Sequence, residues 1–267
     1  MNQEKEDILF CKRVKELSQR ASQKGIYTFS DFANLNELNL FHKTIREVSD
    51  IDYHLWGGYP EAERRVICFK GKYSLQKSAC LSHEDDSFND VVFPIQCLSI
   101  KPVQEKFSDI LGHRDYLGAI LNLGIERSKI GDILVLEKEA FVFCHMGIAE
   151  FLIDNLNKIK HTKVTINMVT YESSQIRPKT EEIFGTVSSV RLDVLLGIAF
   201  SASRSSLTGL ISGEKVFVNG KLITSNSFIP NENDIVSVRG YGKFIFRSIQ
   251  KQTKKNRYRI LIEKYSG

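Results

Sequence analysis

The sequence predicts a multidomain α+β protein with an N-terminal α/β domain, a central ferredoxin-like βαββαβ domain and a C-terminal module of helices and a hairpin. The chain has 267 residues, enough for two or three small domains. Hydrophobic periodicity in its middle follows the order strand, helix, strand, strand, helix, strand, which is the split βαβ pattern. Two polar stretches, Ser82 to Asp90 and Glu172 to Glu182, separate three blocks. We therefore expect domains at residues 1–88, 89–172 and 185–249, a linker at 173–184 and a basic tail at 250–267.

The first block carries the signals of two helices and two strands. Apolar residues at helical spacing from Ile8 to Ala21 predict a helix that Gly25 ends. A second helix is predicted at Leu38 to Val48. Strands are predicted at Asp52 to Trp56 and Arg65 to Phe69, with a glycine- and proline-containing loop between them. This combination indicates a small α/β domain.

The second block has the clearest pattern. The predicted strands are Ile95 to Ile100, Asp132 to Leu136, Ala140 to His145 and Lys163 to Thr170, with helices at Arg114 to Leu123 and Ala149 to Ile159. This order gives an antiparallel sheet with two helices on one face. RNA-recognition sheets carry exposed aromatic side chains on which bases stack. Phe141 and Phe143 share a face of the third strand, so base stacking and core packing are both open for them.

The third block opens with two predicted helices and a hairpin. A first helix begins near Arg191, and Ser203 is a favourable N-cap for a second helix at Arg204 to Ile211, which Gly213 ends. The hairpin is indicated by Val216, Val218, the Asn219-Gly220 turn and Leu222. The first turn of the second helix has free backbone N–H groups that favour an anion.

Positive charge is concentrated in the last third of the chain. Residues 184–267 contain 13 Lys or Arg against 5 Asp or Glu, although the whole chain has a formal net charge of only +5. Such asymmetry predicts that the C-terminal part binds a polyanion, with a solvated basic surface as the alternative. Lys215 and Lys221 flank the predicted hairpin, where a phosphate backbone could dock.

These residues resemble a known RNA-binding module. The matching segments are Arg191-Leu192-Asp193, Ser203-Arg204, Gly213-Glu214-Lys215-Val216-Phe217-Val218-Asn219-Gly220 and Asp234-Ile235-Val236. They are similar to the S-four RNA-binding domain, named for ribosomal protein four of the small subunit. In that pattern the apolar residues are core, and Asp193 is a cap or an internal salt-bridge partner. Glu214 departs from the pattern, because its position is often basic.

The resemblance implies a set of RNA-binding residues. The set comprises Arg191, Ser203, Arg204, Ser205, Lys215, Asn219, Lys221, Arg239 and Lys243. A domain of this kind is expected to recognise structured RNA through its backbone and shape, with little reading of bases.

Further segments resemble YlmH-type bacterial proteins over nearly the full length. They are Tyr59-Pro60-Glu61-Ala62-Glu63-Arg64-Arg65, Gly112 to Ile120, Lys129-Ile130-Gly131-Asp132-Ile133 and Arg239-Gly240-Tyr241-Gly242-Lys243-Phe244. The resemblance implies a monomeric, cytoplasmic factor that binds rRNA and tRNA on stalled large ribosomal subunits, in a family often named for cell division. His113 and Arg114, at a helix start, are possible additional RNA contacts.

Several other classes lack their signatures. No signal peptide and no apolar run of the roughly 20 residues that span a bilayer is present, so we expect no membrane association. The five cysteines include no CxxC pair, which argues against disulfides and zinc. We expect no metal and no cofactor.

Enzyme motifs are likewise missing. His113-Arg114-Asp115 lacks the asparagine that a kinase loop needs five positions later, where Ile120 stands. No GxSxG, HExxH, P-loop or glycine-rich cofactor loop is found. We therefore expect a non-catalytic protein. An RNA-modifying enzyme with an unrecognised site and a protein-interaction adaptor stay open as alternatives.

Overall fold

In the computed structural model the chain forms two compact units, Met1–Ile176 and Arg177–Gly267. The described residues are 3–48, 51–71, 91–170, 180–202, 204–252 and 256–265. Outside them lie Cys80, Ser203, the predicted polar stretch Ser82 to Asp90 and most of the predicted linker.

The first half of the first unit is a three-stranded antiparallel sheet with two helices. Its elements are α1 (Gln3–Lys24), β1 (Thr28–Ala33), α2 (Leu35–Thr44), β2 (Ile51–Trp56) and β3 (Arg65–Gly71), and the strand order is β1-β3-β2. As predicted, α1 ends at Gly25, whose φ of 61° suits glycine. Strand β1 was not predicted. The helix α2 starts earlier than predicted, because Asn34 and Glu37 form a reciprocal capping box.

The second half of the first unit confirms the ferredoxin-like prediction. It contains β4 (Ile95–Pro102), α3 (His113–Leu121), β5 (Ile130–Val135), β6 (Ala140–His145), α4 (Ala149–Asn155), β7 (Lys158–Ile159) and β8 (Thr162–Val169). The strand order is β5-β6-β4-β8-β7, and all neighbours are antiparallel. The predicted helix to Ile159 was too long. The chain leaves the helix at Leu156, and Ile159 is buried from the short strand β7 instead.

The second unit is a six-stranded antiparallel sheet with two helices. Its elements are β9 (Thr180–Val187), α5 (Leu192–Phe200), α6 (Arg204–Ser212), β10 (Val216–Val218), β11 (Lys221–Leu222), β12 (Asp234–Val238), β13 (Gly242–Gln252) and β14 (Tyr258–Tyr265). The strand order is β11-β10-β12-β13-β14-β9. One core joins both helices to one face of this sheet, with Leu195, Leu196 and Ile211 fully buried.

Two boundary predictions for this unit are wrong. The linker predicted at 173–184 runs into β9, and the basic tail predicted at 250–267 contains the end of β13 and all of β14. The two strands pair along their full length, from Thr180 with Tyr265 to Val187 with Tyr258. The physical reason is that Ile260 and Ile262 complete the core. The lysines and arginines that flank them make the composition of this segment look like that of a solvated tail.

The sheet face that carries Phe141 and Phe143 is covered. Both rings are buried in a cluster with Phe32, Tyr59 and Val66 from the first half of the unit. The rings of Phe143 and Tyr59 are stacked with centroids 5.0 Å apart. Core packing is therefore the role of the two phenylalanines, and base stacking on this face is excluded.

A polar network at the same junction is built around Asp132 of β5. Its carboxylate accepts hydrogen bonds from the Tyr59 hydroxyl (2.7 Å) and from the backbone N–H groups of Glu63 (2.7 Å) and Arg64 (3.1 Å). The buried Arg64 guanidinium donates to the carbonyl oxygens of Ile130, Phe32 and Arg127. Two of the segments that resemble YlmH-type proteins thus meet here in a structural role.

Three cysteines, Cys68, Cys97 and Cys144, are buried core residues. Burial raises the pKa of the Cys68, Cys97 and Cys144 thiols to about 12, so these groups stay protonated at neutral pH. Among the described residues, no three His, Cys, Asp or Glu side chains lie close enough together to hold a metal ion. No helix in the described ranges is long and apolar enough to cross a membrane.

We predict that Asp132→Ala lowers the free energy of unfolding of the first unit by about 2–4 kcal/mol, because three donors at the junction lose their acceptor. Urea denaturation followed by the fluorescence of Trp56, the one tryptophan, measures this. The matched control Asp154→Ala removes an exposed carboxylate from α4 and should change stability by less than about 0.5 kcal/mol. Equal stability of both variants would contradict a structural role for Asp132.

Candidate RNA interface

Three of the predicted RNA-binding residues meet at one end of the C-terminal sheet. Lys215 directly precedes β10 and Arg239 directly follows β12, and the neighbouring Val216 and Val238 are paired. The backbone N–H of Arg239 donates to the carbonyl oxygen of Lys215 at 2.9 Å. Lys243 lies at the start of β13, opposite Ser237 of β12. We call Lys215, Arg239 and Lys243 the basic end.

Two cations of the basic end lie over aromatic rings. The Arg239 guanidinium is 5.1 Å from the centroid of the Phe217 ring, and the Lys243 ammonium is 4.5 Å from that of Tyr265. Such contacts hold long flexible side chains in place without neutralising their charge. Lys215 and Arg239 are exposed, and Glu214 adds one exposed carboxylate beside them. The arrangement leaves a fixed positive surface that suits a polyanion.

Sequence reasoning missed two residues at the basic end. Tyr241 is 45% exposed in the turn between β12 and β13. Lys264 of β14 lies 5.2 Å above the ring of Phe200. The pairing of β14 with β13 carries Lys264 to this position, opposite Phe244. The position of Lys264 therefore depends on a strand pairing that the local sequence does not indicate. Tyr241 could have been noticed, because it lies between two glycines in a predicted RNA-binding segment.

Two of the other predicted residues, Asn219 and Lys221, lie at the opposite end of β10, which we call the far end. They belong to the β10–β11 turn, about 10 to 13 Å from Lys215 by the rise of three to four strand residues. Arg191 precedes α5, whose last residue, Phe200, packs on Tyr241 beside the basic end, so Arg191 lies about 13 Å from there by helical rise. Asn219, Lys221 and Arg191 are therefore separate from the basic end.

The Asn219 side chain is engaged in the fold. Its amide nitrogen donates to the Asp234 carboxylate at 2.8 Å, and its oxygen accepts from the backbone N–H of Ile235 at 3.0 Å. Its φ of 49° is left-handed and precedes Gly220 at 79°, the pair of angles that a tight hairpin turn needs. These bonds connect the turn to β12, so the side chain acts within the domain.

Arg191 forms a two-pronged ion pair with Asp193. The guanidinium Nε and Nη2 donate to the two carboxylate oxygens at 3.1 Å each. This confirms Asp193 as an internal salt-bridge partner. The carbonyl of Arg191 also accepts from Val194 and Leu195 at the start of α5, so Arg191 organises the helix start.

The second helix begins as predicted, at Arg204, and Ser205 follows within α6. Ser203, the predicted cap, lies outside the described residues. Arg204 is therefore in the first turn of α6, where unpaired backbone N–H groups favour an anion.

The two possible additional contacts lie in the first unit, at the start of α3. Arg114 is exposed, and the Asp115 carboxylate caps the helix by accepting from the backbone N–H of Gly112 at 2.8 Å. Desolvation, and then the nearby Arg127 charge, lower the pKa of His113 below its ordinary value. This shift favours the neutral form of His113 and so weakens its attraction for a phosphate.

Family models match three parts of the chain. Residues 6–72 match "YlmH, N-terminal", residues 89–173 match "Putative RNA-binding domain in YlmH" and residues 190–236 match "S4 domain". The chain is thus a multidomain protein in which an S4 domain, containing the basic end, follows a ferredoxin-like domain. The two YlmH models together cover more than half of the chain, and the chain belongs to the YlmH-type family.

A curated relative and a solved structure are similar to this chain. "Ribosome-associated protein quality control protein P2" of Bacillus subtilis is 26% identical over 261 residues, covering 97% of this chain and 96% of the relative. The structure of "Cell division protein ylmH from Streptococcus pneumoniae" is 24% identical, with a TM-score of 0.48, and covers 64% of this chain and 95% of that one.

We predict that Asn219→Ala speeds amide hydrogen exchange in β10 and β12, because two hydrogen bonds are lost and alanine is strained at φ 49°. The local cost should be about 2–3 kcal/mol. Hydrogen exchange measured by mass spectrometry on the full chain tests this. The neighbouring exposed Lys221→Ala should leave exchange unchanged. Protection in Asn219→Ala equal to that of the wild type would show that the side chain is available for RNA.

Proposed function

We propose that this chain is a non-catalytic protein whose S4 domain binds structured RNA through the basic end. The observation that carries the proposal is the juxtaposition of Lys215, Arg239 and Lys243 on adjacent strands. Among the described residues, Lys215 and Arg239 have no acidic partner within salt-bridge distance, so their charges are available to phosphates. Arginine forks and lysine ammonium groups are the usual ligands of an RNA backbone.

Within the described residues, the ferredoxin-like domain has no open aromatic sheet face on which RNA bases could stack. Its aromatic face is buried against the N-terminal half of the unit. We infer that any RNA contact of this domain uses edges and helix starts such as Arg114, through backbone and shape. The S4 domain, whose cations are exposed, is then the main RNA reader.

The proposed RNA is ribosomal. The Bacillus subtilis relative is named for ribosome-associated protein quality control, and it aligns over nearly the whole of both chains. We propose that this chain likewise acts in the cytoplasm, as a monomer, on stalled large ribosomal subunits that retain a tRNA. Phosphates of rRNA and tRNA are the ligands that the basic end suits.

We predict that Lys215→Gln with Arg239→Gln weakens binding of the full chain to purified large ribosomal subunits. Each phosphate contact releases counterions, so the slope of log K against log salt should become shallower by about 1.5 to 2 in the double variant. Fluorescence anisotropy of the labelled protein across a salt series measures this slope.

The matched control is Lys12→Gln with Lys24→Gln, which removes the same charge from exposed positions on α1. It should keep the wild-type slope. An unchanged slope in the Lys215 and Arg239 variant would place the RNA contact elsewhere. Binding of the wild type that is insensitive to salt and survives nuclease would favour a protein-interaction adaptor instead.

A further inference from the structure

Tyr241 stands at the tip of the turn that joins β12 to β13. The turn is closed by a hydrogen bond from the backbone N–H of Tyr241 to the carbonyl oxygen of Val238, at 3.0 Å. The flanking Gly240 and Gly242 have φ of 84° and 107°, which side-chain-bearing residues rarely adopt. Two glycines therefore present one large aromatic side chain at the end of the sheet.

The ring of Tyr241 is anchored to α5. It packs edge-on against Phe200, with centroids 5.7 Å apart at 69°. Phe200 packs in the same way on the fully buried Phe244, at 5.8 Å and 67°. This line of aromatic contacts fixes the tyrosine to the core, while 45% of the residue stays exposed. An anchored ring loses little conformational entropy when a ligand stacks on it.

Two cations flank Tyr241 in the chain. Arg239 and Lys243 are two residues before and after Tyr241, and each is held over another ring, Phe217 and Tyr265 respectively. The carboxylates of an acidic peptide would pair with these cations but would not stack on the ring. A nucleotide matches both features, because it combines a flat π-face with a phosphate.

We infer that Tyr241 stacks on an unpaired nucleobase while Arg239 and Lys243 hold the adjoining phosphates. This inference rests on the proposed RNA-binding function and deepens it, because it adds an unpaired nucleotide to what the S4 domain recognises. Stacking is tolerant of base identity, so the contact selects a flipped-out or loop base and reads little sequence.

Three variants of the full chain test the inference, with purified large ribosomal subunits and protein-free large-subunit rRNA as the two probes. Tyr241→Leu keeps the apolar contact with Phe200 and removes the aromatic face, and Tyr241→Phe keeps the face. Phe184→Leu is the matched control, because Phe184 is similarly exposed, at 49%, but lies on β9 away from the turn.

The expected result is that Tyr241→Leu weakens binding to both probes by about 5- to 100-fold, the range for loss of one base stack. The salt slope should stay that of the wild type, because a stacked ring releases no counterions. Tyr241→Phe and Phe184→Leu should bind as the wild type does.

Four outcomes would overturn the inference while leaving RNA binding intact. Wild-type affinity in Tyr241→Leu would mean that the ring is not in contact. Equal losses in Tyr241→Phe and Tyr241→Leu would assign the effect to the hydroxyl. A shallower salt slope in Tyr241→Leu would show that the cations had moved. A loss with subunits but not with protein-free rRNA would identify a ribosomal protein as the partner. Failure of the wild type to bind either probe would instead refute the proposed function, and the inference with it.

Discussion

The eight-pair antiparallel ladder between β9 and β14 is the constraint on which the C-terminal unit depends. It brings a strand that precedes both helices against β14, whose Ile260 and Ile262 lie in the core. The register of β14 against β13 on its other side places Lys264 over Phe200 and Tyr265 under Lys243. The positions of the cations at the basic end therefore follow from strand pairing.

The first unit uses its chemistry differently. The aromatic residues on its sheet pack between its two halves and are not exposed as they are in an RNA-recognition sheet. Asp132 and Arg64 form hydrogen bonds across the same junction. The Arg64 guanidinium there is buried and hydrogen-bonded, while Lys215 and Arg239 of the basic end are exposed and Arg239 lies over a ring. This contrast in burial and partners is what distinguishes a structural polar cluster from a ligand-binding one.

Features of the fold that carry a local signal or follow a known element order could be predicted from the sequence, and other distant pairings could not. The Asn219-Gly220 turn and α6 rest on signals within a short stretch of chain, and the ferredoxin-like strand order follows from the order of its helices and strands. Strands β9 and β14 are separated by some seventy residues, and their charged ends look like a linker and a tail. The sequence could not decide between base stacking and core packing for Phe141 and Phe143, because an alternating pattern does not show what covers a sheet face.

The same division holds for the candidate site. Residue type and motif position identified Lys215, Arg239 and Lys243, which the structure brings together. They could not reveal that Asn219 and Arg191 are engaged within the domain, because those partners depend on side-chain geometry. Tyr241 is part of the motif, but only the structure shows that its ring is both packed on Phe200 and partly exposed.

The most direct test of the central claim is ultraviolet crosslinking of the full chain to purified large ribosomal subunits, with RNA-linked peptides identified by mass spectrometry. We expect nucleotide-bearing peptides that contain Lys215 and the Arg239 to Lys243 turn. Nucleotide-bearing peptides confined to the first unit, or none at all, would contradict RNA binding by the basic end.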